Sequence, residues 1–253
     1  MVVGQPPSAV LCDAQPPSAV LWAAQPGAAV PRMEMTRMHI YESALTVSTA
    51  GIGVLGAGAA LAAAGTAVGL RKIDYERVPQ VALLSAAFFV ASLVHVPMGV
   101  TSVHLVLNGL VGLLLGWAAF PAILIALFLQ AVFFGTGGLL ALGVNTMTMA
   151  APAVAVGCLL SGATRGKSEA VAVVAGFAAG AMGILLGLVL WAAAMTAARP
   201  EFQTFSQAAV VAHSGLAVIE GLVTASAVAF LRKVRPELLE APLAPARLEI
   251  SDA

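Results

Sequence analysis

"GIGVLGAGAALAAAGTAVG", residues 51–69, carries no charged side chain along its whole length. About 20 apolar residues in a helix cross the hydrocarbon core of a bilayer, and the apolar run that contains this stretch extends from 44 to 70. Glycine and alanine recur in it at three- and four-residue spacing, which lets helices approach closely in lipid. The stretch therefore reads as a membrane-crossing helix. Two uses of its small-residue face stay open: packing inside the protein, or docking against another membrane subunit.

The rest of the chain repeats the pattern. Six further apolar segments follow, at 79–97, 102–118, 120–135, 147–163, 169–196 and 207–231, with a glycine-rich connector, "GTGGLLALGVNT" (135–146), between the fourth and fifth. Of the 253 residues 60% are hydrophobic and only 9% charged, and the mean hydropathy is +0.97, far from the balance of a water-soluble domain. The expected fold is an all-α polytopic membrane bundle of about seven transmembrane helices, in the cell membrane and in contact with its lipid.

Charge sets the expected orientation. Short cytoplasmic loops retain Lys and Arg; here these are Arg71, Lys72 and Arg77 after the first segment, Arg165 and Lys167 after the fifth, and Arg232, Lys233 and Arg235 after the seventh. With seven crossings all three groups fall on one side, so the N-terminus is expected outside and the C-terminus inside. The formal net charge is zero, with no basic stripe of the kind nucleic acid requires, which excludes that partner.

Three regions are expected. Residues 1–37 contain a decaying ten-residue repeat, "QPPSAVLCDA", "QPPSAVLWAA", "QPGAAVPRME", too proline-rich for helix; this reads as a low-complexity leader or as an early start, with Met33, Met35 and Met38 as alternative starts. Residues 38–235 form the membrane domain, and 236–253 a polar cytoplasmic tail. Cys12 and Cys158 lie in unrelated settings and suggest neither a disulfide nor a thiolate metal site; Cys158 reads as a small packing residue.

Chemistry concentrates in four histidines, His39, His95, His104 and His213, all expected near the outer ends of segments. Ionisable groups at membrane depth are costly and tend to line a site. In "RMHIYESAL" (37–45), a mature N-terminus at Met38 would offer a free α-amine, the His39 amide nitrogen and the His39 imidazole as fused chelate rings around one ion. A fourth nitrogen, from an imidazole such as that of His104, completes a planar set suited to Ni(II), Cu(II) and some Co(II) rather than Mg(II) or Ca(II). An attached leader would convert the amine to an amide and abolish the site.

These residues resemble a family. "MHI" before a membrane segment, "PMGVTSVHLVLNGLVGLLLG" (97–116), "QAVFFGTGGLLALGVNTMTMA" (130–150) and "AHSGLAVIEGLVTASAVAFLRKVRPELL" (212–239) look like the CbiM/NikM family of substrate-binding S components of energy-coupling-factor (ECF) transporters for cobalt and nickel. The run "YES" after "MHI", Thr136 and Asn108 differ from the usual pattern.

The resemblance implies that Met38, His39 and His104 hold Co2+ or Ni2+ as transported ligand. It makes Gln130, Asn145 and His213 candidates for orienting loops around the site. It also implies as partners a transmembrane coupling (T) component, ATPase subunits and a small accessory membrane subunit. Glu220, seven residues beyond His213, is the one carboxylate deep in a segment and is expected to serve structure or coupling.

The chain is not expected to be an enzyme. "SGATRGKS" (161–168) resembles a phosphate loop, but Ser161 stands where glycine is required and no strand precedes it. Two alternatives are disfavoured: a stand-alone secondary metal permease, because Glu220 has almost no companion relay groups in the segments, and an intramembrane hydrolase using Ser214 with His213 and Glu220, because adjacent helical residues diverge by about 100°.

Overall fold

The computed structural model describes residues 40, 45–46, 48–98 and 101–240. The expectations for 1–37, for Met38 and His39 and for the tail beyond 240 lie outside them. Helix α1, Thr49–Arg71, starts at Ser48, whose Oγ accepts the Gly51 N–H at 2.9 Å and donates to the Ala198 carbonyl at 2.9 Å, so one hydroxyl caps a helix and ties it to a distant one. A 3-10 turn, Tyr75–Arg77, leads into α2, Val78–Ala91, with proline in its first turn. Strands β1, His95–Met98, and β2, Thr101–His104, pair antiparallel.

Helix α3, Asn108–Leu115, passes through a 3-10 turn at Gly116–Ala118 straight into α4, Ala119–Phe134. Then come α5, Leu142–Arg165, α6, Glu169–Ala198, α7, Gln203–Val234, and a short α8, Glu237–Glu240. In the connector after α4, Gly135, Gly137 and Gly138 all have φ between 63 and 79°, a conformation that costs glycine little and other residues more.

Five helical stretches among the described residues are long and apolar enough to cross a membrane: Thr49–Arg71, Asn108–Phe134, Leu142–Arg165, Glu169–Ala198 and His213–Val234. The nearly all-helical membrane architecture is as expected apart from the β1–β2 hairpin; the count of long apolar helices among the described residues differs from seven for local reasons. The segment expected at 79–97 is helical only to Ala91, about 21 Å at 1.5 Å per residue. There Ser92 turns back to the Phe89 carbonyl, and Pro97 disfavours helix at Val96. The segment expected at 102–118 begins as a strand and becomes helix only at Asn108, continuous with the next.

Asn108–Phe134 is the centre of the bundle: 78% of its most apolar window is buried, against 22% for α1. Without a hydrophobic drive between helices in lipid, close contact comes from small residues. A Cβ added at Gly112 of α3 would lie 1.9 Å from the Ala153 carbonyl oxygen of α5, and one at Gly157 of α5 would lie 2.2 Å from that of Gly112. Gly58 and Gly65 of α1 sit likewise against Val144 and Phe120. The small-residue face of α1 through 51, 58, 62, 65 and 69 is thus used for internal packing. Gly53 and Gly56 look outward with nothing within 4 Å.

Cys158 is exposed rather than packed; α5 turns it to the outer surface with Leu159. "SGATRGKS" ends α5 and starts α6, with Gly166 as C-cap and Ser168 as N-cap, so it is a helix–turn–helix and no phosphate loop.

The basic loop residues gather at one end of the bundle and satisfy carbonyls left over at helix C-termini. Arg77 Nη2 donates to Leu114 O at 3.3 Å, Arg232 Nη1 to Thr164 O at 2.6 Å and Arg165 Nε to Leu239 O at 2.9 Å. Burial pushes the Arg77 pKa down, with Asp74 opposing. Leu239 is buried against Leu113 and Leu114, so α8 is seated on the bundle.

The glycine contacts make a paired prediction. Gly112→Ala forces backbone against backbone and should destabilise the protein by about 1–3 kcal/mol, whereas Gly56→Ala, in open space on a helix, should be neutral or stabilising by up to about 1 kcal/mol. Thermal unfolding of the two variants in detergent compares them directly.

Candidate functional site

Two short stretches carry the expected ligands, and both are held by side chains from distant helices. The first is the connector from β2 to α3. His104 ends β2, opposite His95 in the ladder, and is buried. Its Nδ1 lies 3.2 Å from the Leu105 carbonyl; a carbonyl only accepts, so a neutral ring in this contact has its hydrogen on Nδ1 and its lone pair on Nε2.

Two residues on, the main chain meets Glu220 of α7, which is 0% exposed. Glu220 Oε1 accepts the Val106 N–H, and the Leu107 N–H is shared between Oε1 and Oε2, each at 3.0 Å. Leu107 has φ 55°, the one positive φ at a non-glycine among the described residues, a strain of about 1–3 kcal/mol that surrounding contacts must hold. Leu107 is also the N-cap of α3 and offers no side-chain cap, so the Glu220 carboxylate sits where the helix start favours an acceptor.

The second stretch is the chain at Ile40. Asn145, in the first turn of α5, accepts the Ile40 N–H at Oδ1 (2.8 Å) and donates from Nδ2 to the Ile40 carbonyl (2.9 Å). Ile40 and Asn145 are both buried. One amide side chain thus takes both polar groups of one residue, as a neighbouring strand would. His39 adjoins Ile40 but, with Met38, lies outside the described residues.

The remaining candidates are not drawn into these two contacts. Gln130 is buried near the end of α4; its Nε2 has no partner among the described residues, and its backbone carbonyl accepts Thr136 N–H at 3.4 Å. His213 Nδ1 donates to the Ala209 carbonyl at 2.7 Å, one turn back on α7, leaving a buried Nε2 without a partner there. Asn108, first residue of α3, is buried with its Oδ1 likewise unmatched.

Among the described residues no three His, Cys, Asp or Glu side chains converge as a metal cage; His104 is the one described member of the expected donor set. The hydrolase alternative has no geometric support: Ser214 is exposed and donates to Val211 O, and His213 and Glu220 face different backbone groups. That Glu220 needed a partner was legible in the sequence. That the partner is main chain was not, because amide N–H groups occur at nearly every position.

A family model described as the cobalt uptake substrate-specific transmembrane region, CbiM, matches residues 39–238. A putative metal transport protein of Haemophilus influenzae is 39% identical over 208 residues, spanning 80% of this chain and 97% of its own. The fused nickel transport protein NikMN of Rhodobacter capsulatus is 37% identical over 212 residues; the match takes in 71% of this chain and 60% of that longer protein. The cobalt transport protein CbiM of Sorangium cellulosum is 33% identical over 172 residues, with 64% and 76% covered. The crystal structure of a transition metal transporter superposes with a TM-score of 0.54 at 23% identity, over 78% of this chain and 93% of that one, a likeness of fold.

Replacing Asn145 by alanine strands the Ile40 N–H and carbonyl in a buried setting, at about 1–3 kcal/mol for unsatisfied groups. The expected result is faster amide hydrogen exchange at Ile40 and easier proteolysis before Ser48, with α6 and α7 unchanged; exchange measured by mass spectrometry on the purified protein reads both.

Proposed function

The chain belongs to the CbiM family of cobalt uptake substrate-specific transmembrane regions and is a multi-pass membrane protein of cobalt and nickel transport; from that premise we propose that it is the substrate-capture subunit of an energy-coupling-factor transporter. It binds one Co2+ or Ni2+ ion through the Met38 amine, the His39 amide nitrogen and imidazole, and the His104 imidazole. Four nitrogens in a plane suit Ni(II) and square Co(II) better than hard cations, which select oxygen.

The observation that carries this reading is the Asn145 clamp on Ile40. A hydrogen-bonded, buried Ile40 brings the chain next to His39 into the bundle, at the start of the same helix α5 that packs on α3 through Gly112 and Gly157. The burial of His104 supports it from the other side, since an imidazole held out of water with its Nδ1 in contact with a carbonyl is pre-oriented for a ligand.

Chelation through the amine requires that Met38 be the mature N-terminus: the free amine lends its lone pair directly and anchors the ion while the neighbouring His39 amide gives up its proton, whereas an acylated Met38 nitrogen would itself have to be deprotonated and no longer anchors the chelate. Energy for uptake comes from outside the chain in this reading: a transmembrane coupling subunit, a pair of ATPases and a small accessory membrane subunit complete the complex, and the ion enters from the outer face. Gln130 and His213 are assigned to the polar surroundings of the site, and the Met38 side chain takes no part in coordination.

Equilibrium dialysis against Ni(II) and Co(II) tests the donor set. Protein beginning at Met38 should bind one ion, and His39→Ala and His104→Ala should each lose more than the roughly 10- to 100-fold typical of changes around a metal's ligands. Full-length protein with an intact leader, or N-acetylated Met38, should not bind. Undiminished affinity in either blocked form would refute amine coordination.

A further inference from the structure

Glu220 is an unusual occupant of a membrane bundle, because among the described residues its carboxylate meets no cation and no polar side chain. It faces two main-chain N–H groups, those of Val106 and Leu107, from a position 114 and 113 residues away in sequence. Val106 is fully buried and packs in one apolar cluster with Leu216 and Ala217, the α7 residues one turn before Glu220. The connector is therefore pressed onto α7 by apolar contact and locked there by the carboxylate.

The lock falls two residues from His104. On the other side His104 is fixed by the β1–β2 ladder, opposite His95. The peptide units between His104 and Asn108 are thus constrained at both ends, and the left-handed turn at Leu107 is the conformation that the lock enforces. A buried main-chain N–H in a membrane protein must find an acceptor within the protein. Without the carboxylate, the connector has to move to satisfy Val106 and Leu107, and His104 moves with it.

We propose that Glu220 is the positioning residue of the ion site: by accepting the Val106 and Leu107 N–H groups it sets the depth and rotation of the connector so that the His104 imidazole faces the ion. This rests on the metal-capture reading above, and it assigns Glu220 no contact with the ion itself. Oε1 reaches both N–H groups, and Oε2 adds a second acceptor at Leu107. Glutamine, of the same size, keeps one acceptor and turns an N–H donor against another N–H; aspartate keeps both acceptors but draws them back by one methylene.

Ni(II) affinity, measured in the protein form that binds the ion, should fall about 10- to 100-fold in Glu220→Gln and by an intermediate amount in Glu220→Asp. Thr224→Val, one turn further along the same buried face of α7, should bind like wild type. A double-mutant cycle separates positioning from general packing: in a His104→Ala background, Glu220→Gln should cost no more than about twofold, because the group it orients has gone. Amide exchange at Val106 and Leu107 should rise in both Glu220 variants.

Wild-type affinity in Glu220→Gln, equal losses from Glu220→Gln and Thr224→Val, or a full additive loss in the cycle would each overturn the proposal. Should Glu220→Gln not fold, Glu220→Asp decides: faster exchange at 106–107 with unchanged Ni(II) affinity refutes it. Unchanged binding in His104→Ala alone sinks the metal-capture reading itself, whereas weakened His104→Ala beside unaffected Glu220→Gln sinks only the positioning role.

Discussion

The N–H groups of Val106 and Leu107 belong to neither the hairpin nor the helix that follows it, and in a lipid-facing bundle no water stands ready to take them. Glu220 accepts both. That contact exists because two helices come unusually close to α6 at one turn. A Cβ on Gly180 would lie 2.4 Å from the Glu220 carbonyl oxygen, and a Cβ on Gly109 would lie 2.4 Å from that of Ala179. The first turn of α3 and the middle of α7 therefore meet the same small-residue patch on α6. The carboxylate and the connector are brought together by the absence of side chains elsewhere.

The same device builds the surroundings of Ile40. Asn145 lies next to Val144, which packs on Gly58 of α1, while a Cβ on Gly143 would lie 2.5 Å from Ala59. Further along α5, Gly157 admits α3. Helix α5 is thus wedged between α1 and α3, and the turn that holds Ile40 is the one that meets α1. Two polar side chains, one amide and one carboxylate, hold two stretches of non-helical main chain against a frame made by glycine and alanine. Surroundings of that stiffness suit ligands that must keep one geometry.

The outer surface is of another character. Phe133, Leu159, Val174, Leu222 and Phe230 are exposed and apolar, as lipid contact requires, and three arginines gather at one end. There Arg77, Arg165 and Arg232 satisfy helix carbonyls, while Lys233 reaches Glu169 at 3.4 Å on the surface, a pair that water and salt leave with little energy. The long α7 reaches both regions, with Glu220 in the interior and Arg232 and Lys233 at the basic end.

Composition and periodicity alone determined that this chain is a helical membrane protein, because uncharged runs near 20 residues long have few other stable forms, and its rare polar residues marked Asn145, His104 and Glu220 as worth watching. Tertiary structure alone decided what those residues touch. Glu220 and Asn145 both bind main chain, whose donors and acceptors are the same at almost every position and leave no trace in a sequence. It also decided where helices stop. The run from 79 to 97 looks as apolar as any helix, but Pro97 and the strand pairing of His95 with His104 end it early. The next helix waits until Asn108 because Leu107, held at φ 55°, is left-handed, a conformation no right-handed helix continues through. Hydropathy measures the preference of side chains for lipid; the breaks are made by backbone groups that find a partner better placed than the next turn of helix.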